Sequence, residues 1–269
     1  MSRHICPDKL GIMITRNFID VESGGHKRRV HYRLAGNGPP LLMVHQSPRS
    51  SKEYEPLMRK WAEYFTCIAP DTPGFGQSDS LPGKPEINEY ADAVVEFLDA
   101  IGIEKSAAYG FHSGGIILVT AVKRHPKRFT TLAVGGYAIW TPEEMQLFSD
   151  KYLPPFHPSD YGEHLTWLWN RILEQSWFFP WFAADNQHRL SGPHADPQRV
   201  DAVIREMLDA GNAYQAGYGA VLRAPRDIPA VDAPVPPCLI SAYTGDPLLE
   251  RPKRSPPPKT IKQPAWRIF

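Results

Sequence analysis

The fold of this chain is decided by a ten-residue stretch that reads Ser106-Ala107-Ala108-Tyr109-Gly110-Phe111-His112-Ser113-Gly114-Gly115. A short apolar run breaks here into a turn flanked by glycines, and a helical pattern follows from residue 116 to residue 123. A sharp strand-to-helix turn needs small residues two positions before and after its apex, because backbone crowds the chain on both sides. Gly110 and Gly114 have this spacing and bracket His112. We therefore predict that His112 projects from the turn.

Composition narrows the class of protein. A chain of 269 residues with 42% hydrophobic side chains can bury a core as one good-sized domain with an insertion. A net charge of +1 argues against a nucleic-acid partner. The cysteines, Cys6, Cys67 and Cys238, are too scattered to form a metal-binding motif, so we expect no metal site. With no leader pattern and no membrane span in the sequence, we expect a cytoplasmic protein that binds a small molecule, of undefined oligomeric state.

The order of apolar runs predicts the fold class. Strands are predicted at residues 13–35 (two strands), 41–44, 66–69, 106–111, 130–134 and 237–242, and helices at residues 51–64, 87–101 and 116–123. Strands that alternate with helices of this length are typical of a doubly wound, mostly parallel α/β sheet.

Residues 141–225 differ from the flanking segments, 1–140 and 226–250, which we assign to the sheet-bearing core. The segment is helix-prone and rich in aromatic residues, Trp177 and Trp181 among them. One interpretation is an ordinary helical core. The other is a helical lid whose aromatic side chains, including these two, line an apolar substrate site. The two interpretations are compatible.

The last segment, residues 251–269, has a composition of its own. It contains five prolines and six basic residues, and it has no acidic residue. Since no strand or helix period is visible, we predict a disordered, proline-rich basic tail. The abrupt change after Glu250 fits either a natural tail or a truncated or frame-shifted end.

Three further motifs accompany the turn, and together they resemble a known superfamily. His45-Gln46-Ser47-Pro48 resembles a strand-end H-G-x-P motif, and residues 71–78, DTPGFGQS, resemble a D-x-x-G-x-G-x-S loop. Residues 239–247 resemble a strand and loop that carry an acid. From residue 13 to residue 249 the chain resembles the lidded α/β-hydrolases, whose nucleophile elbow reads G-x-S-x-G.

The resemblance implies roles for individual residues. Its enzymes use a serine, an acid and a histidine in that chain order, so His112 stands at the nucleophile position and Asp246 at the position of the acid. The backbone N–H groups of Ser47 and Ser113 match the oxyanion hole. Gln46 replaces a glycine of the motif.

The sequence also departs from this pattern. No histidine follows Asp246, so a Ser-His-Asp triad cannot be assembled. The last strand and helix of the fold are missing, which makes the strand at 237–242 an edge of the sheet. We interpret Ser113 as an oxyanion-hole amide and helix N-cap rather than a nucleophile. Arg49 is either a ligand for a substrate carboxylate or a solvated side chain.

Three functions are compatible with these observations. The first is an enzyme that hydrolyses a small, largely apolar ester, lactone or C–C bond without a cofactor, with His112 in place of serine. The second is a cofactor-free lyase on the same fold. The third is a catalytically inactive or truncated relative that binds a small molecule.

Overall fold

The computed structural model describes residues 11–154, 157–192, 194–227 and 234–241, together with the backbone of residues 266–268. Within this part of the chain, eight strands form one sheet in the order β1-β2-β4-β3-β5-β6-β7-β8. The strands are β1 (Thr15–Ser23), β2 (His26–Ala35), β3 (Pro40–Val44), β4 (Thr66–Pro70), β5 (Ser106–Phe111), β6 (Phe129–Gly135), β7 (Cys238–Ser241) and β8 (Trp266–Ile268). The helices are α1 (Glu55–Trp61), α2 (Ile87–Ala100), α3 (Ser113–Arg124), α4 (Pro142–Lys151), α5 (Glu163–Gln175), α6 (Pro197–Ala210) and α7 (Ala213–Arg223).

The sheet is mixed but mostly parallel. The pairs β1·β2 and β2·β4 are antiparallel, and the pairs from β4·β3 to β7·β8 are parallel. The β1–β2 hairpin turns at Gly24 and Gly25, which both adopt positive φ. The predicted α/β sheet is confirmed.

Helices cover both faces of the sheet, and the strand β3 has apolar side chains buried on each face. Leu42 and Val44 point into a core shared with α2 and α3. Leu41 and Met43 point the opposite way, into a second core that contains Met58 of α1. Because successive strand residues alternate between faces, a fully apolar strand is buried on both sides. β3 therefore lies at the centre of a doubly wound sheet.

The four helices α4–α7, here called the helical segment, pack on the loop after β4. Phe75 of that loop is 1% exposed and belongs to a core with Leu168, Val200 and Met207 of the helical segment. A Cβ atom at Gly217 of α7 would lie 2.6 Å from Cε2 of Phe75, so only glycine allows this approach. The insertion of Phe75 fixes the helical segment against the core.

The end of the chain corrects one expectation. No strand was predicted after Glu250, and the strand at 237–242 was expected to be an edge. Instead, Trp266–Ile268 forms β8, which pairs in parallel with β7. A three-residue strand is too short for a period to be visible in sequence. The rest of the predicted tail, and Asp246, lie outside the described residues.

Smaller details also differ from the predictions. The helix expected at 51–64 is a single 3-10 turn, Ser51–Tyr54, followed by the short α1. No helix in the part of the chain that the structure describes is both long enough and apolar enough to cross a membrane.

A buried carboxylate holds the loop after β4. Asp71 accepts hydrogen bonds from the Nδ1 of His31 at 2.8 Å, from the backbone N–H of Ser51 at 2.7 Å and from that of Gln77 at 3.0 Å. Burial by itself would raise the pKa of Asp71, but these hydrogen bonds and the nearby ring of His45 lower it to about 2. Asp71 therefore stabilises the loop after β4.

We predict that Asp71→Asn lowers the free energy of unfolding by about 2–4 kcal/mol at neutral pH, because a buried charged partner is lost. Since the folded pKa of Asp71 is depressed, its contribution is complete above the ordinary value near 4 and is lost as the pH falls towards 2. The difference between wild type and variant should therefore shrink across that window in urea titrations. Asp92→Asn, at the exposed pair with Arg124, is the control and should cost at most about 1 kcal/mol. A loss no larger than that of the control at neutral pH would contradict the account.

Candidate active site

The turn between β5 and α3 has its apex at His112. This residue has φ 47° and ψ −114°, and among the described residues it is the one non-glycine with positive φ. A Cβ atom at Gly114 would lie 1.9 Å from the carbonyl oxygen of Val44, and one at Gly110 would lie 2.7 Å from the backbone of Gly114. The predicted register, with small residues on both sides of His112, is confirmed.

The backbone and the ring of His112 are both held in place. Its backbone N–H donates to the carbonyl oxygen of Gly135 at 2.9 Å, which ties the turn to the end of β6. Its ring stacks on that of Phe111, with centroids 4.1 Å apart and planes inclined by 19°. His112 is also one of the residues that line a cavity.

Ser113 occupies a different place from the one expected. It is the first residue of α3, and His112 is the N-cap position, so the prediction that Ser113 caps the helix is wrong. Its Oγ accepts a hydrogen bond from the backbone N–H of Ser47 at 2.5 Å. The two residues predicted to form the oxyanion hole are thus in direct contact. At the first position of a helix, the N–H of Ser113 has no acceptor within the helix itself.

Hydrogen bonds from neighbouring residues hold the loop that carries Ser47. The Nε2 of His45 accepts the backbone N–H of Thr72 at 2.9 Å, so its proton is on Nδ1, which donates to the carbonyl oxygen of Gln46 at 2.9 Å. Gln46 donates its backbone N–H to Oε1 of Glu53 at 2.9 Å and its side-chain amide to Oε2 at 3.1 Å. Burial raises the pKa of Glu53, although these bonds oppose the shift. Gln46, which stands where the motif has a glycine, is therefore stabilised by its hydrogen bonds to Glu53.

A cavity of about 140 Å³ lies between this loop, the turn at His112 and the helical segment. An engineered protein cavity of about 150 Å³ is known to hold benzene, so this cavity has room for a ligand of about that size. Aromatic side chains form much of the wall: Trp140, Phe148, Tyr152, Phe179 and Tyr218. Its polar residues are Gln46, Ser47, His112, Ser113, Gln175 and Arg226.

Three of the residues predicted to bind substrate lie outside the cavity wall. Arg49 pairs with Glu206 of α6 at 3.1 Å and is not part of the cavity wall. Trp177 lies outside the wall and stacks on His194. Trp181 also lies outside it, where its indole N–H donates to the carbonyl oxygen of Tyr152 at 3.3 Å. Aromatic density alone did not show which rings face the cavity.

The sequence analysis missed several residues of the wall. Phe148 and Tyr152 are four positions apart, a spacing that places them on one face of α4 and its C-cap and could have identified them. Arg226 has no such pattern, because it follows the end of α7 in an irregular segment. Among the described residues, no cluster of three or more His, Cys, Asp and Glu side chains is placed to hold a metal ion.

Comparison with known proteins agrees with the fold. The family model described as alpha/beta hydrolase fold matches residues 39–216, and the chain belongs to this family. Haloalkane dehalogenase 2 of Mycobacterium tuberculosis is 26% identical over 218 residues, covering 79% of this chain and 73% of that protein. The soluble epoxide hydrolase of Corynebacterium sp. strain C12 is 35% identical over 89 residues, covering 33% of this chain and 31% of that protein.

Solved structures show the same fold at lower identity. Epoxide hydrolase A from Mycobacterium thermoresistibile is 17% identical, with a TM-score of 0.65, over 94% of this chain and 90% of that one. A thermophilic esterase from Thermogutta terrifontis is 18% identical, with a TM-score of 0.60, over 85% of this chain and 79% of that one. Relatives named for three chemistries thus share this architecture.

We predict that Gly114→Ala lowers the free energy of unfolding by about 3 kcal/mol, because the added methyl group would collide with rigid backbone at Val44. Chemical denaturation followed by far-ultraviolet circular dichroism measures the change. Gly192→Ala is the matched control, since a Cβ atom there meets nothing within 4 Å, and its effect should stay within about 0.5 kcal/mol. Equal stability of the two variants would show that α3 does not approach β3 as closely as described.

Proposed function

We propose that this protein hydrolyses a small, largely apolar ester without a cofactor, with the imidazole of His112 as the nucleophile. The observation that carries the proposal is the position of His112, at the apex of a positive-φ turn and on the wall of an aromatic-rich cavity. Strained backbone of this kind is typically kept where the side chain has a chemical task. Imidazole is also the side chain that is neutral and nucleophilic near neutral pH.

A histidine nucleophile removes the need for a second base. A serine hydroxyl must lose its proton to a base before it attacks efficiently. Among the described residues of the cavity wall, the one imidazole is His112 itself, and no carboxylate is present. A neutral imidazole attacks through a ring nitrogen that carries no proton, so it does not depend on such a partner.

The proposed reaction has two steps. The unprotonated ring nitrogen bonds to the carbonyl carbon of the ester, and the bond to the alcohol oxygen breaks. The alcohol leaves with the proton that the other ring nitrogen gives up, which leaves a neutral acyl-imidazole. Water then attacks the acyl-imidazole, which is readily hydrolysed, and releases the carboxylic acid. The free imidazole is regenerated, and the net change is ester plus water to acid plus alcohol.

This mechanism also selects among the chemistries for which the relatives are named. A haloalkane or an epoxide would leave an alkyl group on the imidazole. An alkyl-imidazole has no carbonyl carbon for water to attack, so the enzyme would stop after one turnover. An acyl group is released by water, and we therefore assign an ester rather than a haloalkane or an epoxide to His112.

Ser47 and Ser113 would stabilise the oxyanion. The N–H of Ser47 already has an oxygen acceptor at 2.5 Å, the hydroxyl of Ser113. In the proposed reaction the substrate oxyanion takes the place of that hydroxyl, and the N–H of Ser113 is the second donor. Two such donors lower a barrier by several kcal/mol, about 3 kcal/mol for each. The helical segment would act as a lid that limits the access of bulk solvent and still admits the water molecule needed for the second step.

We expect His112→Gln to reduce the hydrolysis of phenyl acetate at least about a hundredfold in kcat/KM, because the nucleophile is lost. His125→Gln is the matched control, since His125 follows the other end of α3, pairs with Asp92 and is absent from the cavity wall. Release of phenol measures both. Activity of His112→Gln equal to that of the control would refute the proposal.

The Ser113→Ala variant completes this test. It removes the hydroxyl that occupies the N–H of Ser47, so turnover should be retained or should rise a few fold. A serine-directed phosphonate should leave the wild-type protein unlabelled. Loss of turnover in Ser113→Ala, together with labelling of Ser113, would make serine the nucleophile instead.

A further inference from the structure

Arg226 is a buried cation on the wall of the cavity. It is 8% exposed, and its guanidinium donates to three backbone carbonyl oxygens: that of Ala138 at 3.0 Å, Ala224 at 2.7 Å and Val221 at 2.8 Å. None of the partners that the structure gives it within the described residues is a carboxylate. Burial lowers the pKa of Arg226 to about 10, as expected for a cation taken out of water. At neutral pH it remains charged.

Its protein partners compensate this charge only in part. Val221 and Ala224 lie at the C-terminal end of α7, where the helix dipole supplies roughly half a negative charge. A guanidinium has five N–H groups, and the three carbonyls use three of them. One N–H on each terminal nitrogen is left for a further acceptor. A carboxylate has two oxygens and can accept from both of these donors.

A second polar residue of the wall also presents a donor. Gln175 accepts from the Nη1 of Arg171 at 2.7 Å through Oε1, which fixes the orientation of its amide. Its NH₂ group is therefore the part of Gln175 available to a ligand. Arg171, 3% exposed, is also held without a carboxylate among its partners in the described residues. The wall of the cavity thus offers donors from Arg226 and Gln175 and, within the described residues, no acidic side chain.

We propose that Arg226, with the amide of Gln175, forms a subsite for one carboxylate, so that the substrate is a small apolar molecule that carries a single carboxylate besides its reactive carbonyl group. This inference deepens the proposed function and rests on it for the reactive end of the molecule. The cavity volume of about 140 Å³ limits the apolar part to roughly the size of a benzene ring. Buried cations are ordinarily paired, and here the substrate completes the pair.

Binding of two ligands of nearly equal shape tests this subsite without any turnover. Benzoate carries the carboxylate, and benzamide is its neutral counterpart. By isothermal titration calorimetry, wild type should bind benzoate at least about tenfold more tightly than benzamide. The reason is that the benzoate carboxylate can accept two charge-assisted hydrogen bonds from the guanidinium of Arg226. Equal affinities, or no binding of either ligand, would overturn the proposal.

Two variants test whether the preference for benzoate over benzamide depends on Arg226. Arg226→Gln should weaken benzoate binding about tenfold or more and leave benzamide binding within about twofold. Arg223→Gln is the control, since Arg223 lies three positions earlier, pairs with Glu86 and is not on the cavity wall. It should bind both ligands as wild type does. Benzoate affinity unchanged in Arg226→Gln would overturn the proposal.

Arg226 also caps α7. If Arg226→Gln does not yield a folded protein, Arg226→Lys replaces it. Lysine keeps the positive charge but lacks the two terminal nitrogens of the guanidinium. The affinity of this variant for benzoate should therefore lie between the wild-type affinity for benzoate and the wild-type affinity for benzamide. Benzoate preference without phenyl acetate hydrolysis would support the subsite and refute the proposed function. Hydrolysis that depends on His112 without benzoate preference would support the function and refute the subsite.

Discussion

The tight turn between β5 and α3 is the constraint on which the rest of the site depends. α3 can start directly above β3 only because Gly114 has no side chain to strike the carbonyl of Val44. That approach forces His112 into positive φ, which costs a non-glycine residue about 1–3 kcal/mol. The turn also brings His112 to the cavity wall and Ser113, the first residue of α3, into contact with Ser47. One strained turn thus places the proposed nucleophile and both proposed oxyanion donors.

A second arrangement closes the space around that turn. Asp71 fixes the loop after β4, and Phe75 of that loop inserts into the helical segment. The helical segment in turn supplies the aromatic rings that make the cavity small and apolar. Arg226, beyond the end of α7, adds the one cation of the described wall. The proposed chemistry therefore needs the loop, the helical segment and the turn at once.

The sequence predicted the parts of this site that depend on backbone. Glycine spacing located the apex of the turn, and apolar runs located β1 to β7, because both follow from local sterics and sequence pattern. Side chains that meet only through the tertiary fold were harder to find. Trp177 and Trp181 were expected at the cavity, but Phe148, Tyr152 and Arg226 are there, since the orientation of each helix depends on contacts such as that of Phe75 with Gly217. The strand β8 has three residues, which is too short for a strand period to be recognised in the sequence.

His112→Gly tests the central claim most directly, because it separates strain from chemistry in a single variant. Glycine tolerates the backbone angles of residue 112, so the free energy of unfolding should rise by about 1 kcal/mol, net of the added flexibility of the unfolded chain. Ester hydrolysis should fall to the background rate in the same sample. A variant that is less stable than wild type and still hydrolyses the ester would contradict the account, since the strain at His112 would then serve the fold and not the reaction.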